Sequence, residues 1–129
     1  MAVMWHGHYA AIFEEGASEL RRLCGMGYDA LHGVELHAPI IQLHVDYRLP
    51  LVLDEFYRCR ATMIYSEAAR INIEYAVLNA DDTVVATGYT VQLFTQPRAM
   101  EPRLTVPPIL ERCLERWRSG DLKELECAS

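Results

Sequence analysis

Near the start of the chain, Trp5, His6, His8 and Tyr9 crowd around Gly7. An imidazole titrates close to neutral pH, so His6 and His8 can each hold or move a proton. Gly7 carries no Cβ and lets a ligand come close to the backbone. The residues beyond His8 repeat at helical spacing, which puts this group at the mouth of a helix. The first N–H groups of a helix have no partner within it. They stabilise negative charge developing on a ligand, as an oxyanion hole does. Glu14 adds a carboxylate further along the same helix.

Plainer roles compete at each position. His6 can be an interface histidine, His8 a helix cap, and Trp5 and Tyr9 packing residues. Glu14 can simply complement the helix dipole, an effect of about 0.3–1 kcal/mol. His6, His8 and Glu14 are also a possible metal-ligand set. The helix carries Glu14 more than a turn from the histidines, so neither a metal nor a cofactor is expected.

The helix that presents this group should run over 8–24. Phe13, Gly16, Ala17, Leu20, Leu23 and Cys24 make its apolar stripe, and Phe13, Ala17, Leu20 and Leu23 should be buried against a sheet. Glu14 and Glu15 lie toward its start and Arg21 and Arg22 at its end, the order the dipole favours. Gly25 is a stop signal, and 25–39 reads as an irregular connection. Ile41, Leu43, Val45 and Tyr47 then alternate with Gln42, His44, Asp46 and Arg48, which predicts a strand.

Further strands are expected over 56–65, 70–78 and 84–95. Asn79-Ala80-Asp81-Asp82 is turn chemistry and makes the last two a hairpin. Gly88 within the fourth strand marks a bulge or a close backbone contact. Pro107 and Pro108 open a second helix, with Ile109, Leu110, Cys113, Leu114 and Trp117 on one face. Asp121 and Glu124 resemble a capping box for a short final turn. The fold class is α+β: one long helix, four antiparallel strands and a helical tail.

A chain of 129 residues, 51% of them hydrophobic, suits one domain with one core. The net charge of −6 argues against a duplex nucleic-acid footprint, and no apolar run is long enough to span a membrane. Cys24, Cys59, Cys113 and Cys127 form no C-x-x-C pair and read as reduced thiols, mostly buried, of a cytoplasmic protein.

The segment Val3-Met4-Trp5-His6-Gly7-His8-Tyr9, followed by Phe13-Glu14, resembles V-V-(Y/W)-H-x-N-Y-x-x-(F/Y)-(F/Y)-E of the 4-hydroxybenzoyl-CoA thioesterase-like proteins. These are hotdog-fold acyl-CoA thioesterases. The similarity continues through Val45-Asp46-Tyr47-Arg48-Leu49-Pro50 and Ala86-Thr87-Gly88, over roughly residues 1–97. It implies a hotdog domain over 1–97, with 98–129 a loop and C-terminal helical tail of the same domain. In such a fold an antiparallel sheet wraps a central helix. Subunits join sheets edge to edge as a homodimer or homotetramer, here through 41–47. The thioester lies at the subunit interface with its carbonyl at the helix N-terminus, and a carboxylate attacks it or activates water.

By this resemblance His6 matches a histidine used beside that carboxylate, Tyr9 the motif's tyrosine and Glu14 the glutamate of the helix. His8 stands where asparagine is common. Arg70 is the candidate for the CoA phosphates, with a cross-strand ion pair as its other reading. The family's aspartate sits in a D-x-x-G segment just before that motif, and by alignment it would fall two residues before Met1. Upstream codons are therefore expected to encode that strand and aspartate, and the strand over 56–65 is expected to lack a partner.

The implied function is hydrolysis of acyl-CoA thioesters. The alternatives are a non-catalytic acyl-CoA or acyl-carrier binding protein, and an acyl-thioester dehydratase or hydratase.

Overall fold

Helix α1 (His8–Leu23) lies on one face of an antiparallel sheet, as its apolar stripe requires. The computed structural model describes residues 8–50, 56–96, 99–102, 104–120 and 126–128. Phe13, Ala17 and Leu20 are buried, and Tyr9 and Ile12 extend the stripe toward the N-terminus. Leu23 departs from expectation and is 46% exposed. Three residues beyond Leu20 fall about 60° short of a full turn, which swings Leu23 onto the flank. Cys24, one residue on, returns to the core. Gly16 brings the helix close to the sheet, because a Cβ there would sit 3.3 Å from Ala61 Cβ.

Gly25 ends the helix in the left-handed region, with φ +78°. Its N–H donates to the Arg22 carbonyl and that of Met26 to the Arg21 carbonyl, which closes the helix end as a Schellman motif. The connection that follows is not wholly irregular. It contains a short helix, α2 (Tyr28–Gly33), which buries Leu31 alone. A helix with one buried side chain leaves no periodic signal to read.

The sheet contains β1 (Ile40–Tyr47), β2 (Tyr57–Ile64), β3 (Arg70–Asn79) and β4 (Val84–Leu93), close to the expected spans. At the hairpin, Asn79 Oδ1 accepts from the N–H groups of Asp81 and Thr83, 3.0 Å each. Beyond β4 the chain forms a separate ribbon of β5 (Thr95–Gln96) and β6 (Ala99–Pro102). Helix α3 (Pro108–Arg118) buries Ile109, Leu110, Cys113 and Leu114, and Trp117 packs edge-on against Tyr65. The expected final turn at Asp121 and Glu124 lies outside the described residues.

A short strand, β7 (Glu126–Ala128), pairs with Arg60 to Thr62 of β2 and makes the sheet order β1-β4-β3-β2-β7. This corrects the expectation that β2 would lack a partner. Three residues are too few to show alternation. The other edge, β1, has no neighbour beyond it among the described residues.

Gly88 makes the close contact and not the bulge. A Cβ there would lie 2.5 Å from Phe13 Cε2 and inside contact distance of the His44 carbonyl oxygen. Phe13 stacks on Tyr75 with centroids 4.3 Å apart. The Tyr75 hydroxyl shares a 2.7 Å hydrogen bond with Thr90. Burial pushes the Tyr75 phenol up from 10.0 to about 12, against the lowering effect of the Thr90 bond.

A stability prediction follows from that phenol. Between pH 10 and 12 the unfolded chain loses the Tyr75 proton while the folded chain keeps it. The unfolded state then binds fewer protons, so stability falls as pH rises through this window. The slope from this group is at most about 1.4 kcal/mol per pH unit. Tyr75→Phe should flatten the decline in urea titrations across that range. Parallel declines in both proteins would remove Tyr75 as its cause.

Cys24, Cys59 and Cys113 are buried thiols. A hydrogen bond with Cys113, reinforced by burial, holds the Cys24 thiol above its ordinary range and therefore protonated. Among the described residues no helix is long and apolar enough to cross a membrane.

Candidate active site

The mouth of α1 opens beside the end of β1. Tyr9, in the first turn, is 3% exposed and meets Tyr47 of β1 edge-on, with centroids 5.1 Å apart. His8 begins the helix and is exposed. His6 and Gly7 lie outside the described residues. Through this buried contact the Tyr9 ring packs the first turn of α1 against the sheet edge.

Glu14 is exposed and stands six residues beyond His8, about 9 Å along the helix axis. It is therefore not brought to the helix mouth. No acidic residue falls in the first turn, so Glu14 and Glu15 also gain little from the dipole, whose effect fades beyond that turn. Arg21 and Arg22 do occupy the last turn. Arg70 opens β3, at the opposite end of the sheet. Tyr47 aligns with Ala86 and through it with Val77, seven residues along β3 from Arg70. That is roughly 23 Å at strand rise, so Arg70 cannot touch a thioester held at the helix mouth.

Glu14 instead lines a cleft of about 390 Å³ between α1, α2 and the segment 36–39. Arg21, Tyr28, Leu31 and His32 line it as well. Gln92 steadies the far wall, since its Nε2 donates to the Ala38 carbonyl at 2.6 Å. Leu31 and Leu36 are buried beneath the cleft, and Tyr28 stacks on His32 at its rim. Helical spacing in the sequence had marked Arg21 only as a helix-end cation.

A second hollow, of about 440 Å³, lies on the sheet face turned away from α1. There His44 Nε2 approaches Asp46 Oδ1 at 3.0 Å, and the imidazole stacks on Tyr89. Side chains alternate across a strand, so these residues cannot reach the helix mouth.

The model of the thioesterase superfamily matches residues 1–86. The chain belongs to this superfamily. That bears out the family resemblance drawn from the Val3 to Tyr9 segment. No curated protein matches the chain. Among solved structures, DHNA-CoA thioesterase from Staphylococcus aureus is 20% identical with a TM-score of 0.80, covering 94% of this chain and 83% of its own. A second Staphylococcus aureus protein, in complex with CoA, is 12% identical with a TM-score of 0.79, covering 92% and 75%. The 1,4-dihydroxy-2-naphthoyl-CoA thioesterase from Synechocystis is 12% identical with a TM-score of 0.74, covering 88% and 83%. Identities this low establish a common fold, the thioesterase hotdog.

Proposed function

We propose that the protein hydrolyses acyl-CoA thioesters to the free acid and CoA, acting as a symmetric dimer. One observation carries this reading: in a chain of the thioesterase superfamily, the N-terminus of α1 opens beside the end of the uncovered edge strand β1. N–H groups at the start of α1, which have no acceptor within the helix, stabilise the negative charge that water attack places on the carbonyl oxygen. His6, two residues before His8 in the sequence, is the group assigned to hold the attacking water and take its proton, which it returns to the departing sulfur. Gly7 leaves room for the thioester to lie on the backbone. When the intermediate collapses, the C–S bond breaks and the CoA sulfur leaves as the thiol. Tyr9 keeps the helix mouth in register with β1, and Glu14 belongs to the acyl side. The solved relative in complex with CoA supports a CoA-bearing substrate, with Arg70 an exposed cation available to its phosphates.

A panel of acyl-CoA thioesters with thiol release as the readout tests the reading. Turnover should appear, and His6→Ala should lower kcat by about 100-fold, a typical loss for a general acid–base group. An unaltered melting temperature would assign that loss to chemistry. CoA-thioester binding without thiol release would leave a binding protein in place of an enzyme.

A further inference from the structure

Arg21 is a charged side chain with almost no water and, among the described residues, no counter-ion. It is 9% exposed, and its Nε is buried without an acceptor. Among the described residues its side-chain hydrogen bond is Nη2 to Ser18 Oγ at 3.5 Å, at the outer limit of such a bond. A buried guanidinium left this way is costly unless an anion reaches it. It lines the cleft between α1, α2 and 36–39, which has room for part of a small ligand.

We propose that this cleft binds a carboxylate at the far end of the acyl chain, making the preferred substrates ω-carboxyacyl-CoA thioesters. This rests on the thioesterase reading above and names its substrate class. A carboxylate matches the site in shape and charge. Its two coplanar oxygens can accept side by side from the Nη groups of one guanidinium, and its charge compensates the buried cation. One positive charge balances one negative charge, whereas a phosphate dianion would remain half uncompensated.

Glu14 sets the length. It lines the same cleft from an exposed position, seven residues before Arg21, about 10 Å along the axis toward the helix mouth. Because helical side chains lean toward the N-terminus, the Arg21 guanidinium leans toward the ligand's entry. A short dicarboxylic acyl group would hold its charge beside Glu14 and be repelled. A medium-length one carries its charge past Glu14 to Arg21.

Arg21 stands thirteen residues beyond His8, about 20 Å along the axis, so even with its side chain leaning back an acyl chain of about twelve carbons is needed to reach it. The test compares kcat/KM for dodecanoyl-CoA and dodecanedioyl-CoA, which share a carbon count and differ in a terminal carboxylate. The wild-type protein should favour dodecanedioyl-CoA by about 10- to 100-fold, the range of a charge-assisted hydrogen-bond pair. Suberoyl-CoA, whose carboxylate ends beside Glu14, should lose to octanoyl-CoA. In Arg21→Met the dodecanedioyl preference should fall to one or below, with Arg21→Lys between. A wild-type ratio at or below one overturns the proposal, whatever becomes of the variants.

Titration calorimetry with free dodecanedioate separates this idea from the thioesterase reading. Saturable binding by the wild-type protein that dodecanoate does not reproduce supports the cleft even if no thioester is cleaved. Absence of dodecanedioate binding alongside active, unselective hydrolysis sinks the cleft and leaves the enzyme.

Discussion

Phe13→Ala is expected to lower the unfolding free energy by about 3–5 kcal/mol, the range for a buried phenylalanine truncated to alanine. Phe13 is fully buried and stacks nearly parallel on Tyr75, at an interplanar angle of 6°. The cavity would be hard to close. On one side lies Gly88, which has no side chain to move in. On the other, Tyr75 is tied to Thr90 by its hydroxyl. Poor relaxation raises the cost of a cavity, so the upper part of the range is expected. Against a total stability of about 5–15 kcal/mol, that is a third of the fold or more. Urea titration should show a lower midpoint with the slope retained. A loss below about 1 kcal/mol would mean that α1 is not the centre of the core.

The same residues show why much of this fold could be read in advance. Phe13, Ala17 and Leu20 recur at helical spacing because one face of α1 meets the sheet. Leu43, Val45 and Tyr47 alternate because they share the α1 side of the sheet, where Val45 alone is half-buried. Asn79 announces the hairpin because its side chain can replace a backbone acceptor. What could not be read lacks periodicity: α2 buries only Leu31, and β7 spans three residues. Leu23 failed for a finer reason. It sits at the margin of the stripe, where the exact direction of the neighbouring sheet decides burial.

Of the candidate site, the start of α1 near His8 is what the sequence made legible as geometry. The spacing of Trp5, His6, Gly7, His8 and Tyr9 identified a helix mouth, and Tyr9 does stand there. Glu14 was grouped with the histidines because helix and motif share a line of sequence. Its angle around α1 instead sends it into the cleft with Arg21. Arg21 itself left a faint signal. It directly follows the buried Leu20 and lies two turns beyond Glu14 on the same flank, a place where arginine is half inside the core. Only the packing of α2 and 36–39 over that flank makes it a buried charge.

Leu43→Lys should separate the proposed dimer. Leu43 lies mid-strand in β1 and pairs with Thr90 of β4. Its side chain shares the α1 side of the sheet with Val45, which pairs with Gly88 beneath Phe13, and with Tyr47, which meets Tyr9. Yet α1 does not cover this row: Leu43 is 47% exposed and Tyr47 55%, with Ile41 at 53% beside them. An apolar, unpaired edge strand is a surface that pairs with another chain. Two copies of β1 meeting antiparallel give a two-fold contact in which each residue near the axis faces its symmetry mate. A lysine at Leu43 would place two like charges there, both losing water. Loss of a central interface residue costs about 2–4 kcal/mol, or roughly 30- to 1000-fold in dimer Kd. Sedimentation at micromolar concentration should show a wild-type dimer and a Leu43→Lys monomer, and thiol release should fall with the dimer fraction because β1 borders the helix mouth. A wild-type monomer with full thioesterase activity would show that one chain holds a complete site.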